Sequence, residues 1–210
     1  RELAAEVADA IVAEDGSATA IETDVTSTRS IETMVAQTIQ QHGRIDVLVN
    51  VAGGSARKLA SAVHGSNEKV IRQVIEVNLL GAIFCCRAVV DQMIEQGGGK
   101  IVNVASIVAL RGSAGHADYA AAKAGVIAFS KTLAMEVASH SINVNCVSPG
   151  LVPRPGTSVE HIPATNYLGK IATAETVSNV IAFLVSDEAD FVVGQNYVVD
   201  GGRRDRKSVV

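Results

Sequence analysis

Aromatic side chains are nearly missing from this sequence: they make up 3% of it, as four phenylalanines, three tyrosines and no tryptophan. Any tyrosine in such a chain has to be accounted for. Cysteine is as scarce. Cys85, Cys86 and Cys146 are an odd number with no CxxC spacing. That excludes a disulfide framework or a zinc site, and points to free, buried thiols in a reducing, cytoplasmic setting. Nothing resembles a signal peptide, and no uninterrupted apolar run approaches the length of a membrane span. There is no excess of positive charge either. A net charge of −4 gives no electrostatic case for binding nucleic acid or an anionic membrane surface. What remains is 210 residues, 48% hydrophobic and 19% charged, which suits one globular domain with a sizeable core.

The two ends depart from the body. The chain opens in "RELAAEVADAIVAEDG", a helical pattern with no methionine and no capping residue ahead of Arg1. It closes in "RRDRKSVV", four basic residues and one acid, so residues 1–202 carry −7. The expectation is one domain over residues 1–202, with 203–210 a tail foreign to it.

Along the body, short runs rich in valine and isoleucine alternate with longer helical patterns. Strands are expected at 17–25, 45–54, 99–106, 141–150 and 196–202. Helices are expected at 27–42 (capped by Ser27 or Thr26), 67–95, 116–138 and 175–186. Continuous apolar strands separated by helices mean a parallel sheet covered on both faces: a doubly wound, three-layer α/β domain of Rossmann type. Ligands of such sheets bind beyond the carboxyl ends of the strands. Asp24, Asn50, Ser106 and the Pro149-Gly150 pair stand at those ends.

One run concentrates the chemistry. "HADYAAAKAGVIAFSKTLAMEVA" is helical, and Tyr119 and Lys123 are four apart on one face of it. A phenol titrates near 10, and an adjacent ammonium favours its ionised form, so the pair can move a proton near neutral pH. Spacing alone also fits a snorkelling lysine beside a half-buried tyrosine. Ser106, at a strand end, lies 13 residues before Tyr119, at a helix start, so the two hydroxyls can meet in one pocket.

Taken in order, these residues resemble the short-chain dehydrogenase/reductase family, in its single-domain subgroup. The Tyr-x-x-x-Lys pair is Tyr119 and Lys123, and the strand-end serine is Ser106 in "IVNVASI". The asparagine of "VNLxG" is Asn78 in "EVNLLGAIF". The adenine-contacting aspartate matches Asp24, followed by Val25, in "TDVT". The "NNAG" turn is Asn50-Val51-Ala52-Gly53, with valine for the second asparagine. The "PG" turn is Pro149-Gly150, with Val152 just beyond, and the closing "GQxxxVDGG" spans Gly194 to Gly202. General likeness is greatest to the 3-oxoacyl-carrier-protein reductases.

The resemblance implies hydride transfer between NAD or NADP and a small carbonyl or alcohol substrate. It implies catalytic roles for Asn78, Ser106, Tyr119 and Lys123. Cofactor contacts would come from Asp24, Val25, Asn50, Ala52, Gly53, Tyr119, Lys123, Pro149, Gly150 and Val152. It also implies a homodimer or homotetramer, and no metal. The family's TGxxxGxG loop does not occur in the sequence. The expectation is that a complete member begins about forty residues before Arg1, with that loop and the first two strands. The residue that selects NAD or NADP falls in the same region. The threonine expected after the "PG" turn is replaced by Arg154, with Thr157 as a substitute, and Arg111 and His116 fall where substrate-facing residues lie. A non-enzymatic cofactor-binding protein of the same fold, or a catalytically inactive fragment, are the alternative readings.

Overall fold

The computed structural model describes residues 2–55, 62–153, 156 and 166–202. Helix α1 (Glu2–Ala13) is followed by an extended stretch and α2 (Thr28–His42). Ser27 caps α2 by accepting the Ser30 N–H, and Gly43 ends it in the left-handed conformation (φ 78°). Strand β1 (Val47–Asn50) leads to α3 (Glu68–Ile75), a π-helical turn (Glu76–Leu80) and α4 (Gly81–Glu95). Then come β2 (Gly99–Val104), the short α5 (Val108–Arg111), α6 (Ala117–Val137) and β3 (Ile142–Pro149). Helix α7 (Ala174–Val185) and β4 (Asn196–Val199) complete the described order.

The four strands form one parallel sheet in the order β1-β2-β3-β4, with Ile101 opposite Val144 and Val147 opposite Tyr197. Alternate side chains face opposite layers. Ile101, Ile142 and Val144 pack with Val89, Met93 and Leu133 of α4 and α6, while Val102 and Val147 pack with Val177 and Leu184 of α7. This is the three-layer α/β arrangement expected. A strand apolar on both faces has no solvent side to tolerate, and six of the eight residues of β3 are accordingly buried.

Two expectations need correction. Residues 17–24 form no strand. Their composition suits one, but a strand is defined by a ladder, and among the described residues no strand forms a ladder with them or with the outer edge of β1. The second concerns apolar length. The π-helical turn joins α3 and α4 without a break, so Glu68–Glu95 is a single helical rod of 28 residues, long and apolar enough by composition to cross a bilayer. In this fold it packs along the sheet instead, burying Val74, Asn78, Cys86, Val89 and Met93.

Candidate active site

The end of β2 places Ser106. Past Val104 the chain stays in register with β3, because the Ala105 N–H donates to Val147 O (2.7 Å) and Ile107 N–H to Pro149 O (3.0 Å). The Ser106 side chain, nearly buried, accepts the N–H of Val108 at 3.3 Å and so starts α5. A loop then delivers the chain to α6. His116 stands at its N-cap, and the Asp118 carboxylate accepts the Tyr119 N–H (2.8 Å), a negative charge where the helix dipole favours one.

Tyr119 is thereby held in the first turn of α6, half-buried, and Lys123 follows one turn later with only 4% of its surface exposed. The ammonium lies 6.0 Å from the centre of the Tyr119 ring and donates to Val104 O at 2.8 Å. Burial pushes the Lys123 amine down to about 8. The four-residue spacing read from the sequence is a physical pair in the structure.

Asn78 sits in the π-helical turn, 1% exposed. Its Oδ1 accepts the Gly54 N–H (2.9 Å), while Nδ2 donates to Gly54 O (3.0 Å) and to Val74 O (2.8 Å). The turn after β1 is thus bound to the α3–α4 rod. At Gly53 (φ 150°) a Cβ would run into Asn78 Oδ1 and come within 3.3 Å of Lys123 Nζ, so the backbone passes here only without a side chain.

Asn50 points inward. Its Nδ2 donates to Asn103 Oδ1 (2.8 Å), and Asn103 Nδ2 donates to Ser130 Oγ (2.9 Å), which donates to Val126 O (2.7 Å). Sequence reasoning missed Asn103 and Ser130. Polar letters inside the apolar runs "KIVNVAS" and "VIAFSKTL" were the available signal. Burial pushes the Cys86 thiol up to about 12 and that of Cys146 up to about 11, as expected of core thiols.

A cavity of about 560 Å³ opens beyond the strand ends. Ser106, Tyr119, Pro149, Gly150 and Val152 all line it, joined by His116 and, unforeseen in the sequence, by Val177, Ser178 and Ile181 of α7. Lys123 and Asn78 stand behind this wall, not in it. Asp24 is away from it and exposed. Its Oδ1 accepts from Thr26 N (2.9 Å) and Thr26 Oγ1 (2.7 Å), bonds that hold the carboxyl below its usual range. Val25 packs against Gly81, while Ala52 and Gly53 are exposed on the turn. Arg111 does not line the cavity; it pairs with Asp200. Arg154 and Thr157 lie outside the described residues.

A parallel sheet with a lysine-backed tyrosine and a serine at one strand-end cavity is a Rossmann-type α/β domain whose pocket holds groups able to move a proton. Residues 1–204 match the family described as enoyl-(acyl carrier protein) reductase. The chain is 40% identical over 189 residues to the 3-oxoacyl-(acyl-carrier-protein) reductase FabG of Chlamydia pneumoniae, covering 85% of this chain and 73% of that protein. It is 38% identical over 190 residues to BbsD of Thauera aromatica, a (2S)-((R)-hydroxy(phenyl)methyl)succinyl-CoA dehydrogenase subunit, covering 86% and 73%. A crystal structure described as a short-chain dehydrogenase/reductase from Burkholderia xenovorans superposes with a TM-score of 0.86 at 36% identity, covering 92% of this chain and 78% of that one. The chain belongs to the short-chain dehydrogenase/reductase family and is an oxidoreductase acting on a carbonyl/alcohol group.

Proposed function

We propose that this protein reduces the 3-oxo group of an acyl chain held on a carrier, using NAD(P)H, with Tyr119 as the proton donor. The observation that carries the reading is the cavity shared by Ser106 and Tyr119, with the Lys123 ammonium behind the phenol ring. The acyl class follows from the named substrates of two relatives, a 3-oxoacyl carrier protein and a hydroxyl-bearing succinyl-CoA derivative. An apolar wall of Ile107, Leu151, Val177 and Ile181 suits an alkyl chain.

The residues present fit a nicotinamide. Pro149, Gly150 and Val152 border the cavity together with Tyr119, and at Gly53 the turn brings its backbone close to Lys123, which a side chain there would prevent. When bound, the nucleotide supplies the hydride that this chemistry requires. The protein's part is at the oxygen. Reduction of a carbonyl develops an alkoxide, and donors already aimed at it lower the barrier without reorganising. The Ser106 hydroxyl holds the oxygen, and the Tyr119 phenol gives up its proton to it. Lys123, kept cationic below about pH 8, stabilises the phenolate left behind. The apolar wall excludes water from the reacting carbon.

We also read the protein as a homodimer or homotetramer. Helix α6 turns Ala117, Ala121, Ala124 and Ala128 to solvent, a face of small residues that a second copy can approach closely. Light scattering that returns a monomer at micromolar concentration contradicts this.

The activity is tested by following NADH and NADPH oxidation by protein expressed from its complete open reading frame, with acetoacetyl-CoA and longer 3-oxoacyl thioesters. Turnover that improves with the acyl carrier supports the reading. Folded protein that oxidises neither nucleotide with any of these substrates overturns it.

A further inference from the structure

The end of β4 carries a buried charge that the chemistry above does not use. The Asp200 side chain is 6% exposed. Its Oδ1 accepts the Gly202 N–H at 2.9 Å, and among the described residues its Oδ2 has no hydrogen bond. Among the described residues, the cation paired with it is the guanidinium of Arg111, 3.6 Å from Oδ2 and itself about one-third exposed. A carboxylate left alone in such a place is costly, so the cation is part of what makes the burial tolerable.

The pair joins two walls of the cavity. Arg111 ends α5, whose N-terminal side supplies Ile107 and Val108 to the lining, and its own N–H donates to Ile107 O at 3.2 Å. Asp200 stands directly behind the Pro149–Leu151 wall. A Cβ at Gly150 would lie 2.9 Å from Asp200 Cβ, and the Gly150 N–H donates to Val199 O at 2.9 Å. Among the described residues, the other polar link between the walls is the Ile107 N–H reaching Pro149 O, a hydrogen bond between neutral groups.

We propose that Arg111 and Asp200 are positioning residues that set the spacing between the α5 wall and the Pro149–Leu151 wall, and so the fit of substrate between them. This rests on reading the cavity as the carbonyl site. The contact is a single long ion pair rather than a bidentate fork, so charge matters more than guanidinium shape. Neither residue touches the reacting atoms. Loss of the pair should therefore weaken binding and spare the chemical step.

The test uses R111M, D200N, R111K and the double variant R111M/D200N in the complete protein. R111M and D200N should each raise the substrate KM about tenfold with kcat held within about threefold. R111K should restore most of the loss, and the double variant should cost less than the sum of the two single ones, because Arg111 and Asp200 share a contact. Hydrogen exchange supplies a readout independent of turnover: amides 107–112 should exchange faster in R111M, and those inside α6 should not. If R111M does not fold, both measurements are made on R111M/D200N, which leaves no unpaired carboxylate. An unchanged KM, a loss confined to kcat, or R111K as impaired as R111M overturns the proposal. If the wild type turns over no carbonyl, the functional reading fails, and unaltered exchange at 107–112 still decides this inference separately.

Discussion

Asn78 holds Gly54 by both ends of its amide, accepting the Gly54 N–H at 2.9 Å and donating to the Gly54 carbonyl at 3.0 Å. A side-chain amide here completes the kind of pairing a neighbouring strand would supply. It does so where the chain leaves β1 and the ladder has ended. The third bond, to Val74 O, satisfies a carbonyl within the rod where the helix loosens into its π-helical turn. The turn that lies beside Lys123 is therefore fixed from the rod, not from the sheet.

Asn78→Asp keeps the oxygen that accepts from Gly54 but loses both donated bonds and buries a carboxylate. It should cost about 2–4 kcal/mol of stability and loosen the turn. Urea unfolding with hydrogen exchange at Gly54 measures both. A loss under about 0.5 kcal/mol would show that the amide is not what holds this turn.

The Tyr119–Lys123 relation was legible because helical geometry is local, and four residues on an uninterrupted helix can only stack on one face. Ser106 was legible because strands ending in small polar residues recur at the same edge of such sheets. Asn78 and Gly54, 24 residues apart, and Asn50 and Asn103, 53 apart, meet only after the sheet has formed. No periodicity encodes those contacts. The strand expected at 17–25 misled for the same reason: β composition is intrinsic to a segment, but a ladder needs a second strand.

Asn103 is wholly buried and joins β2 to β1 through Asn50 and to α6 through Ser130. Asn103→Leu matches its shape but takes the shortest acceptor from the Asn50 amide, leaving the longer contacts to Ala82 O (3.5 Å) and Cys86 Sγ (3.3 Å), and removes the donor to Ser130. The expected loss is about 2–4 kcal/mol, larger than for an exposed asparagine, because Ser130 stays buried and Asn50 half-buried. Asn50→Ala in the Asn103→Leu background should then cost less than it does alone. Additive losses in that double-mutant cycle would rule out a shared network.

Lys123 should weaken the fold it serves. Its amine titrates near 10.5 in the unfolded chain and at about 8 in the folded one, through burial. Between those values the unfolded chain binds more protons, so stability rises with pH from about 8 to about 10.5. Below about 8 the penalty of the buried ammonium is fully present. Lys123→Met removes it and also loses the bond to Val104 O, so near pH 7 the variant should be more stable by about 1–3 kcal/mol. That advantage should shrink as pH approaches 10.5, while activity is lost. Thermal melts of both proteins across this range decide it, and a variant less stable than wild type at neutral pH would contradict the account.

Tyr119→Phe isolates the proton. The ring that faces the Lys123 ammonium remains, so the packing of the first turn of α6 and the cavity wall should persist. Only the hydroxyl goes, and with it the group proposed to protonate the substrate oxygen. Loss of a positioned general acid lowers kcat by roughly two to four orders of magnitude, with nucleotide binding nearly unchanged because the hydroxyl acts mainly in the transition state. Ser106→Ala should cost less, since one donor to the oxygen would survive. Steady-state rates with a 3-oxoacyl thioester, set beside nucleotide affinity from fluorescence titration, separate the two effects. A Tyr119→Phe protein that keeps half its kcat would place the proton donor elsewhere in the cavity, with His116 the next residue to test.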